Sequence, residues 1–168
     1  MLTAIAKLLK VLNSDDNPAQ VAVAVVFALI MGLTPLMSPH NLFILLLVLV
    51  LRVNLSFFLL SFALFSGIAY LLDPLSMQLG AAVLQAEGLT AVWTSMYQSS
   101  FWRFMAYNNT LVMGSVCLSL ILALPMYWAV VWAITRYRDK VRAKLAQTRL
   151  MLFVKSTRLF ELYSALNR

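Results

Sequence analysis

The sequence has few charged residues. Asp, Glu, Lys and Arg make up 11% of its 168 residues, whereas soluble domains carry about 25%. Hydrophobic residues make up 62% of the chain, and its mean hydropathy is +0.87. Several stretches lack the polar face that a helix on the surface of a soluble protein needs. The composition therefore predicts an integral membrane protein built as one small helical bundle.

Residues that support metal, disulfide or catalytic chemistry are also scarce. A single cysteine, Cys117, excludes an intramolecular disulfide, and one cysteine with one histidine, His40, cannot hold a zinc ion unaided. The sequence contains no glycine-rich phosphate loop and no motif of an activated serine nucleophile. Asp73 has no second carboxylate near it in sequence with which to form an acid–base pair. We therefore expect no enzyme activity, no metal and no cofactor.

Positive charge is concentrated at the C-terminal end, in residues 136–168. This stretch has nine Lys or Arg residues and two acidic ones, which accounts for the net charge of +7. A basic segment beside an apolar span is typical of the cytoplasmic side and of contact with anionic lipid headgroups. Nucleic-acid binding is the alternative, but leucines along one face favour a surface helix. The residues expected to contact anionic lipid are Arg136, Arg138, Lys140, Arg142, Lys144 and Arg149.

An interrupted apolar region covers residues 18–52. Its two apolar runs, residues 21–33 and 42–51, would extend roughly 20 Å and 15 Å as helices, against a hydrocarbon core of about 30 Å. Pro35 and Pro39 lie between the runs and prevent one continuous helix. We predict a broken helical hairpin that enters and leaves the membrane on the same side. Two short, tilted crossings are the alternative.

Two longer apolar runs predict transmembrane helices. Asn54 precedes the first, residues 55–72, which would extend roughly 27 Å and cross once. We expect it to stop at Asp73 and Pro74, a charge followed by a helix breaker. The second run, residues 110–135, contains no charged residue and is long enough to cross with tilt.

The remaining segments have the patterns of surface helices. Residues 1–12 place apolar side chains on one side at helical spacing, which predicts an interfacial helix. Residues 75–109 are more polar and end in an aromatic cluster, which predicts amphipathic helices on the extracytoplasmic side. The predicted fold is thus an all-α membrane domain in residues 1–135 with a basic amphipathic tail in residues 136–168. Both termini are expected in the cytoplasm.

The interruption between the two short runs concentrates the polar groups of this half of the chain. Irregular backbone at membrane depth is tolerated only where protein buries it or where it lines a wet cavity. These side chains therefore either form a ligand site, as in transporters with broken helices, or only satisfy backbone groups, with His40 and Asn41 capping the second helix. The candidate residues are Gly32, Thr34, Pro35, Ser38, Pro39, His40 and Asn41.

Small residues recur at helical spacing in three of the apolar runs. Such faces let helices approach closely in lipid. Packing within this chain is their simplest role, although some faces are expected to remain for a partner or a second copy. The predicted packing residues are Ala24, Ala28, Ala63, Gly67, Ser115 and Ser119.

Several short motifs together resemble a known family. They are Gly32-Leu33-Thr34-Pro35 followed by His40-Asn41, then Arg52-Val53-Asn54, Tyr70-Leu71-Leu72-Asp73-Pro74, Asn108-Asn109-Thr110 and Arg136-Tyr137-Arg138. The chain is similar, over most of residues 17–163, to a bacterial family of small inner-membrane proteins classed as a domain of unknown function. The resemblance implies no catalytic residue. Relatives fused to glycosyltransferase-like domains, or encoded beside large envelope proteins, imply a role in lipid or envelope biogenesis.

Together these features favour a non-enzymatic inner-membrane subunit of an envelope complex in lipid handling or transport. Its expected partners are membrane lipids and either a larger membrane-anchored envelope protein or further copies of itself, without nucleic acid. The alternative is a small oligomeric transporter or channel with the hairpin tip, residues 34–41, as its selectivity element. A membrane enzyme acting on lipid would need a nucleophile or carboxylate cluster that the sequence lacks.

Overall fold

The computed structural model describes residues 17–51 and 53–137, and this part of the chain is all-helical. The α-helices are α1 (Pro18–Leu33), α2 (Pro39–Val50), α3 (Leu55–Leu84), α4 (Thr90–Gln98), α5 (Ser100–Phe104) and α6 (Thr110–Arg136), with a 3-10 turn at Glu87–Leu89. The all-α prediction is confirmed for these residues. The predicted interfacial helix at residues 1–12, Arg52 and the tail beyond Tyr137 lie outside the described residues.

Three of the helices have an asparagine as their N-cap residue. The Oδ1 atom of Asn17 accepts a hydrogen bond from a first-turn amide of α1 at 3.0 Å, and Asn54 does the same for α3 at 3.0 Å. Asn109 accepts from two amides of α6, at 2.9 Å and 3.3 Å. Each side chain thereby satisfies amides that have no partner within the helix.

The core of the bundle is α1, which packs against both long helices, α3 and α6. Five of its side chains are at most 2% exposed, and four of these belong to the main apolar cluster: Val21, Ala24, Ala28 and Leu29. They form one apolar cluster with Phe58 and Phe65 of α3, and side chains of α6 pack against that cluster. Because α1 is enclosed by other helices, it needs no polar face.

Two helices, α3 and α6, are long and apolar enough to cross a membrane. They contain 30 and 27 residues, which corresponds to about 45 Å and 40 Å. Only 11% and 6% of their most apolar segments are buried inside the structure. Large apolar side chains of both helices, such as Leu64, Leu71 and Trp128, are exposed.

The expectation that the first long helix stops at Asp73 and Pro74 is wrong. Helix α3 continues through Pro74 to Leu84, although a proline inside a helix removes one backbone hydrogen bond. Beyond the proline, Ser76 and Gly80 are buried against α6. This packing keeps the chain helical, so the predicted 75–109 amphipathic segment begins inside α3.

The closest approach of α3 and α6 depends on two glycines. A Cβ atom on Gly80 would collide with the carbonyl oxygen of Thr110, and one on Gly114 would collide with the carbonyl oxygen of Ser76. Both obstacles are backbone atoms, which cannot move aside as a flexible side chain can. The pairs Ser76 with Gly80 and Thr110 with Gly114 have the four-residue spacing of small-residue helix contacts.

We predict that Gly80→Ala and Gly114→Ala each destabilise the bundle. Forcing a methyl group into a packed contact costs about 1–3 kcal/mol, and here the backbones themselves must separate. Thermal unfolding of the purified variants in detergent micelles measures this effect as a lower Tm.

Gly67→Ala is the matched control for these variants. It lies in the same helix as Gly80, but nothing lies within 4 Å of its added Cβ atom. Alanine should therefore be neutral there, or stabilising by up to about 1 kcal/mol through its higher helix propensity. Equal destabilisation at Gly67 and Gly80 would contradict the proposed contact.

Candidate functional site

The α1–α2 turn, residues 34–38, is organised by the side chain of Asn41. This side chain is 3% exposed. Its Nδ2 group donates to the carbonyl oxygens of Pro35 at 3.0 Å and Leu36 at 3.4 Å, while its Oδ1 atom accepts from the Thr34 hydroxyl at 2.9 Å. Asn41 thus gives two carbonyl groups of the turn a partner inside the protein.

Thr34 joins this network to the end of α1. Its hydroxyl lies 2.9 Å from the Ile30 carbonyl oxygen as well as 2.9 Å from Asn41 Oδ1. A hydroxyl has one proton, which these two acceptors share. The side chain is 5% exposed, so Thr34 and Asn41 direct their polar atoms into the protein.

The start of α2 differs from the predicted arrangement, in which His40 and Asn41 cap this helix. Ser38 is the N-cap and Pro39 the first helical residue, while Asn41 lies inside the helix. The Ser38 side chain makes no capping bond. His40 is half-buried, and its Nε2 atom is buried without a hydrogen-bond partner.

The turn lies partway along α3. A Cβ atom on Gly32 would be 2.8 Å from the Phe65 Cβ atom and 3.2 Å from the Ser66 amide nitrogen. From the turn, α2 extends for 12 residues, about 18 Å, and α3 covers about 15 Å between Leu55 and Phe65. The chain therefore moves away from the turn along α2 and comes back to it along the first part of α3, where Phe65 lies beside Gly32. Helix α2 must then run antiparallel to the beginning of α3.

The outward surface of the turn and of α2 is apolar. Leu36 is 60% exposed and Met37 is 94% exposed. Most of the aliphatic side chains of α2 are also exposed, whereas Asn41 and Val48 are buried. The predicted candidate residues at the turn are therefore together in space, with Thr34, Ser38 and Asn41 buried beneath an apolar exterior.

The predicted small-residue faces divide into buried and exposed sets. Ala24, Ala28, Ser115 and Ser119 are completely buried. Ala63 and Gly67 are exposed, and nothing lies within 4 Å of a Cβ atom added to Gly67. The role of these two residues toward a partner stays a prediction. The residues that do bring α3 against α6, Gly80 and Gly114, were missing from the predicted set. Their four-residue spacing from Ser76 and Thr110 was visible in the sequence.

A second group of residues forms a cleft at the end of the bundle where α3 ends and α6 begins. We call it the aromatic cleft. Its volume is ≈ 370 Å³, and it is lined by Leu84, Thr90, Trp93, Thr94, Tyr97, Tyr107 and Asn108. The sequence indicates an aromatic cluster at the end of residues 75–109, but its arrangement around a cleft depends on the fold.

Hydrogen bonds join the aromatic cleft to the long helices. Trp93 Nε1 donates to the Val83 carbonyl oxygen at 3.2 Å, and the Tyr107 hydroxyl donates to the Trp93 carbonyl oxygen at 2.7 Å. The two rings lie 5.9 Å apart. Ala106 adopts a left-handed conformation, with φ of 54°, immediately before Tyr107. The cleft walls are therefore held in place by α3 and by the turn that precedes α6.

Arginine side chains stack on aromatic rings at both ends of the bundle. The guanidinium of Arg103 lies 5.8 Å from the centre of the Tyr97 ring, and that of Arg136 lies 5.8 Å from the centre of the Trp132 ring. The other residues predicted to contact anionic lipid, Arg138, Lys140, Arg142, Lys144 and Arg149, lie outside the described residues. In residues 17–51 and 53–137, no three His, Cys, Asp or Glu side chains are grouped to hold a metal ion.

We predict that Asn41→Leu destabilises the turn although leucine has a similar size. The substitution leaves the carbonyl groups of Pro35 and Leu36 without their partner, at a cost of about 1–3 kcal/mol for a buried unsatisfied group. Thermal unfolding in detergent micelles measures the loss. Ser38→Ala is the control because the Ser38 side chain makes no capping bond. A variant Asn41→Leu as stable as Ser38→Ala would show that the network does not stabilise the turn.

Comparisons with other proteins identify relatives without an assigned activity. A family described as "Uncharacterized protein conserved in bacteria (DUF2062)" matches residues 3–143. An "Uncharacterized protein" of Treponema pallidum (strain Nichols) is 26% identical over 156 residues, which covers 93% of this chain and 96% of that protein. No solved structure matches the chain.

Proposed function

The chain belongs to the bacterial DUF2062 family, and we propose that it is a non-enzymatic, multi-pass inner-membrane subunit of an envelope complex that handles lipid. One observation carries this proposal most directly. The α1–α2 turn buries its polar groups under exposed apolar side chains while lying partway along a helix long enough to cross a membrane.

The two long helices support membrane insertion. Residues 111–135 of α6 contain no charged side chain, and these 25 residues extend about 37 Å, more than the roughly 30 Å of a hydrocarbon core. In the sequence Arg103 precedes this apolar stretch and Arg136 follows it, and each is stacked on an aromatic ring. Paired aromatic and basic residues are typical of the two membrane interfaces.

The depth of the turn supports a re-entrant hairpin rather than two short crossings. Phe65, which contacts Gly32, is near the middle of the apolar stretch at residues 55–72. A hairpin that crossed the membrane twice would instead have its turn level with an end of that stretch. At mid-membrane depth backbone groups need internal partners, which Asn41 supplies.

The same geometry favours a subunit over a channel with the turn as its selectivity element. Thr34 and Asn41 direct their polar atoms toward each other and toward backbone carbonyls, which leaves apolar Leu36 and Met37 exposed. A hairpin of this kind reaches only the middle of the membrane, and acyl chains fill the other half beyond its turn. Its outward α2 face suits contact with lipid or with a partner helix.

The orientation follows from charge and from the number of crossings. A re-entrant hairpin followed by one crossing outward and one inward leaves both termini on the same side. The basic tail, which begins at Arg136, favours the cytoplasm for that side. Helices α4 and α5 and the aromatic cleft then face the extracytoplasmic interface.

We predict that a cysteine at position 37 is protected from membrane-impermeant thiol reagents on both sides of the membrane. The background is Cys117→Ala, which removes the single natural cysteine. In this background Met37→Cys is compared with two controls at exposed polar positions, Gln20→Cys and Gln98→Cys. Labelling is measured in intact spheroplasts and in inverted vesicles.

The controls distinguish the two topologies. Gln20→Cys should react only in inverted vesicles and Gln98→Cys only in spheroplasts, since they lie on opposite sides in the proposed topology. Met37→Cys should react in neither preparation until the membrane is dissolved by detergent. Reaction of Met37→Cys in spheroplasts would establish two short crossings and refute the re-entrant hairpin.

We predict that the tagged full-length chain, extracted gently from native membranes, copurifies with a larger membrane-anchored envelope protein in fixed stoichiometry and with phospholipid. Mass spectrometry of the proteins and lipids measures both. A homo-oligomer without any such partner would contradict the subunit proposal. Solute flux in liposomes would then be the measurement to make, because a homo-oligomer is what the transporter alternative requires.

A further inference from the structure

We infer that the aromatic cleft binds the phosphodiester headgroup of a phospholipid, with Arg103 as the residue that attracts the phosphate. The inference rests on the proposed function, because it needs the cleft to lie at the extracytoplasmic membrane interface. It assigns a specific lipid contact to a segment that would otherwise serve only as an aromatic belt.

Arg103 is held in a defined position against Tyr97, one of the residues that line the cleft. One terminal nitrogen donates to the Tyr97 carbonyl oxygen at 3.1 Å, and the other donates to the Ser100 hydroxyl oxygen at 3.1 Å. The guanidinium also stacks on the ring of Tyr97, which lines the cleft. A guanidinium has five N–H donors, so these contacts orient the group and leave donors for a further acceptor.

The charge of Arg103 is uncompensated within the described chain. The two carboxylates in residues 17–51 and 53–137 are Asp73 and Glu87, and neither forms an ion pair with Arg103. An oriented guanidinium without a carboxylate partner in the described residues suits an anionic ligand, and its fork of donors matches a phosphate. The charge complementarity therefore selects a phosphate over a neutral headgroup.

The cleft has further groups that suit the same ligand. The Asn108 amide lines the cleft and is exposed, and it forms no hydrogen bond within residues 17–51 and 53–137. Trp93 and Tyr107 supply ring surface, while their own polar atoms are already bonded to backbone carbonyls. A neighbouring glycerol unit can therefore pack on the rings while the phosphate is bound by N–H donors.

Size and place favour a lipid headgroup as the occupant. The cleft is shallow and open, and its volume of ≈ 370 Å³ gives a headgroup room to settle on the aromatic surface. Leu84, the last residue of α3, lines the cleft. Acyl chains of a bound lipid can therefore continue along the apolar surfaces of the two long helices.

The test measures retention of one defined lipid by the purified full-length chain. Native mass spectrometry counts bound phosphatidylglycerol over a concentration series for the wild type, Arg103→Gln and Arg136→Gln. The control arginine has the same stacking distance but lies at the opposite end of α6. Loss of a charge-assisted contact should weaken the tightest-bound lipid about tenfold or more in Arg103→Gln. Arg136 is also expected to contact anionic lipid, but as one of nine basic residues in residues 136–168. Arg136→Gln should therefore lower the number of weakly bound lipids and leave the affinity for the tightest-bound one unchanged.

Asn108→Ala provides a second test that does not depend on whether Arg103→Gln folds correctly. Its side chain makes no internal hydrogen bond, so the fold should be unaffected while lipid retention falls by a smaller factor. Unchanged retention in both Arg103→Gln and Asn108→Ala would overturn the inference. Equal loss in Arg103→Gln and Arg136→Gln would overturn it too, because binding would then reflect charge alone.

Two competing ligands distinguish the headgroup from other occupants. Diacylglycerol with the same acyl chains should be retained far more weakly than phosphatidylglycerol, and equal retention would overturn a role for the phosphate. Soluble glycerol 3-phosphate in excess should displace little of the lipid. Efficient displacement would show that the cleft takes soluble phosphate compounds instead.

The cysteine-labelling experiment separates failure of this inference from failure of the proposed function. If Gln98→Cys is labelled in spheroplasts as expected but lipid retention does not depend on Arg103, the headgroup site alone is refuted. If position 98 is not extracytoplasmic, the proposed topology and this inference fail together.

Discussion

In the proposed re-entrant hairpin, the carbonyl groups of the α1–α2 turn need hydrogen-bond partners from within the protein, and this requirement governs the first half of the structure. Helices satisfy their own backbone, but the two prolines interrupt that pattern for several residues. The Asn41 side chain donates to the carbonyls of Pro35 and Leu36 and is itself bonded to Thr34. With its polar atoms satisfied in this way, the turn can expose Leu36 and Met37 to apolar surroundings. The proposed re-entrant hairpin depends on this arrangement.

The hairpin packs against the two long helices through its first helix. Helix α1 is enclosed by α3 and α6, while these two helices meet directly at Gly80 and Gly114. The contact lies beyond Pro74, and it explains why α3 continues through that residue. Neighbouring backbones at such short range leave no room for a side chain, so the positions of small residues determine where α3 and α6 come into contact.

The two ends of α6 combine arginine with aromatic residues but differ in what surrounds them. At one end Arg136 stacks on Trp132 next to the basic tail. At the other, Arg103 stacks on Tyr97, which lines a cleft that is joined by a hydrogen bond to the end of α3. In the proposed topology both arginines lie at membrane interfaces. The difference between them is the basis for assigning a lipid headgroup to the Arg103 end alone.

Composition and local pattern determined the helical class, the caps at Asn17, Asn54 and Asn109, the break at the two prolines and the two long apolar helices, because all of these follow from forces between near neighbours in the chain. The extension of α3 past Pro74, the role of Asn41 in bonding back to the turn, and the contact at Gly80 and Gly114 were decided by the tertiary structure. So was the meeting of Trp93, Tyr97 and Tyr107 around one cleft. Each of these depends on which surfaces face each other across the bundle, and a single helix does not specify which part of its surface will meet another backbone.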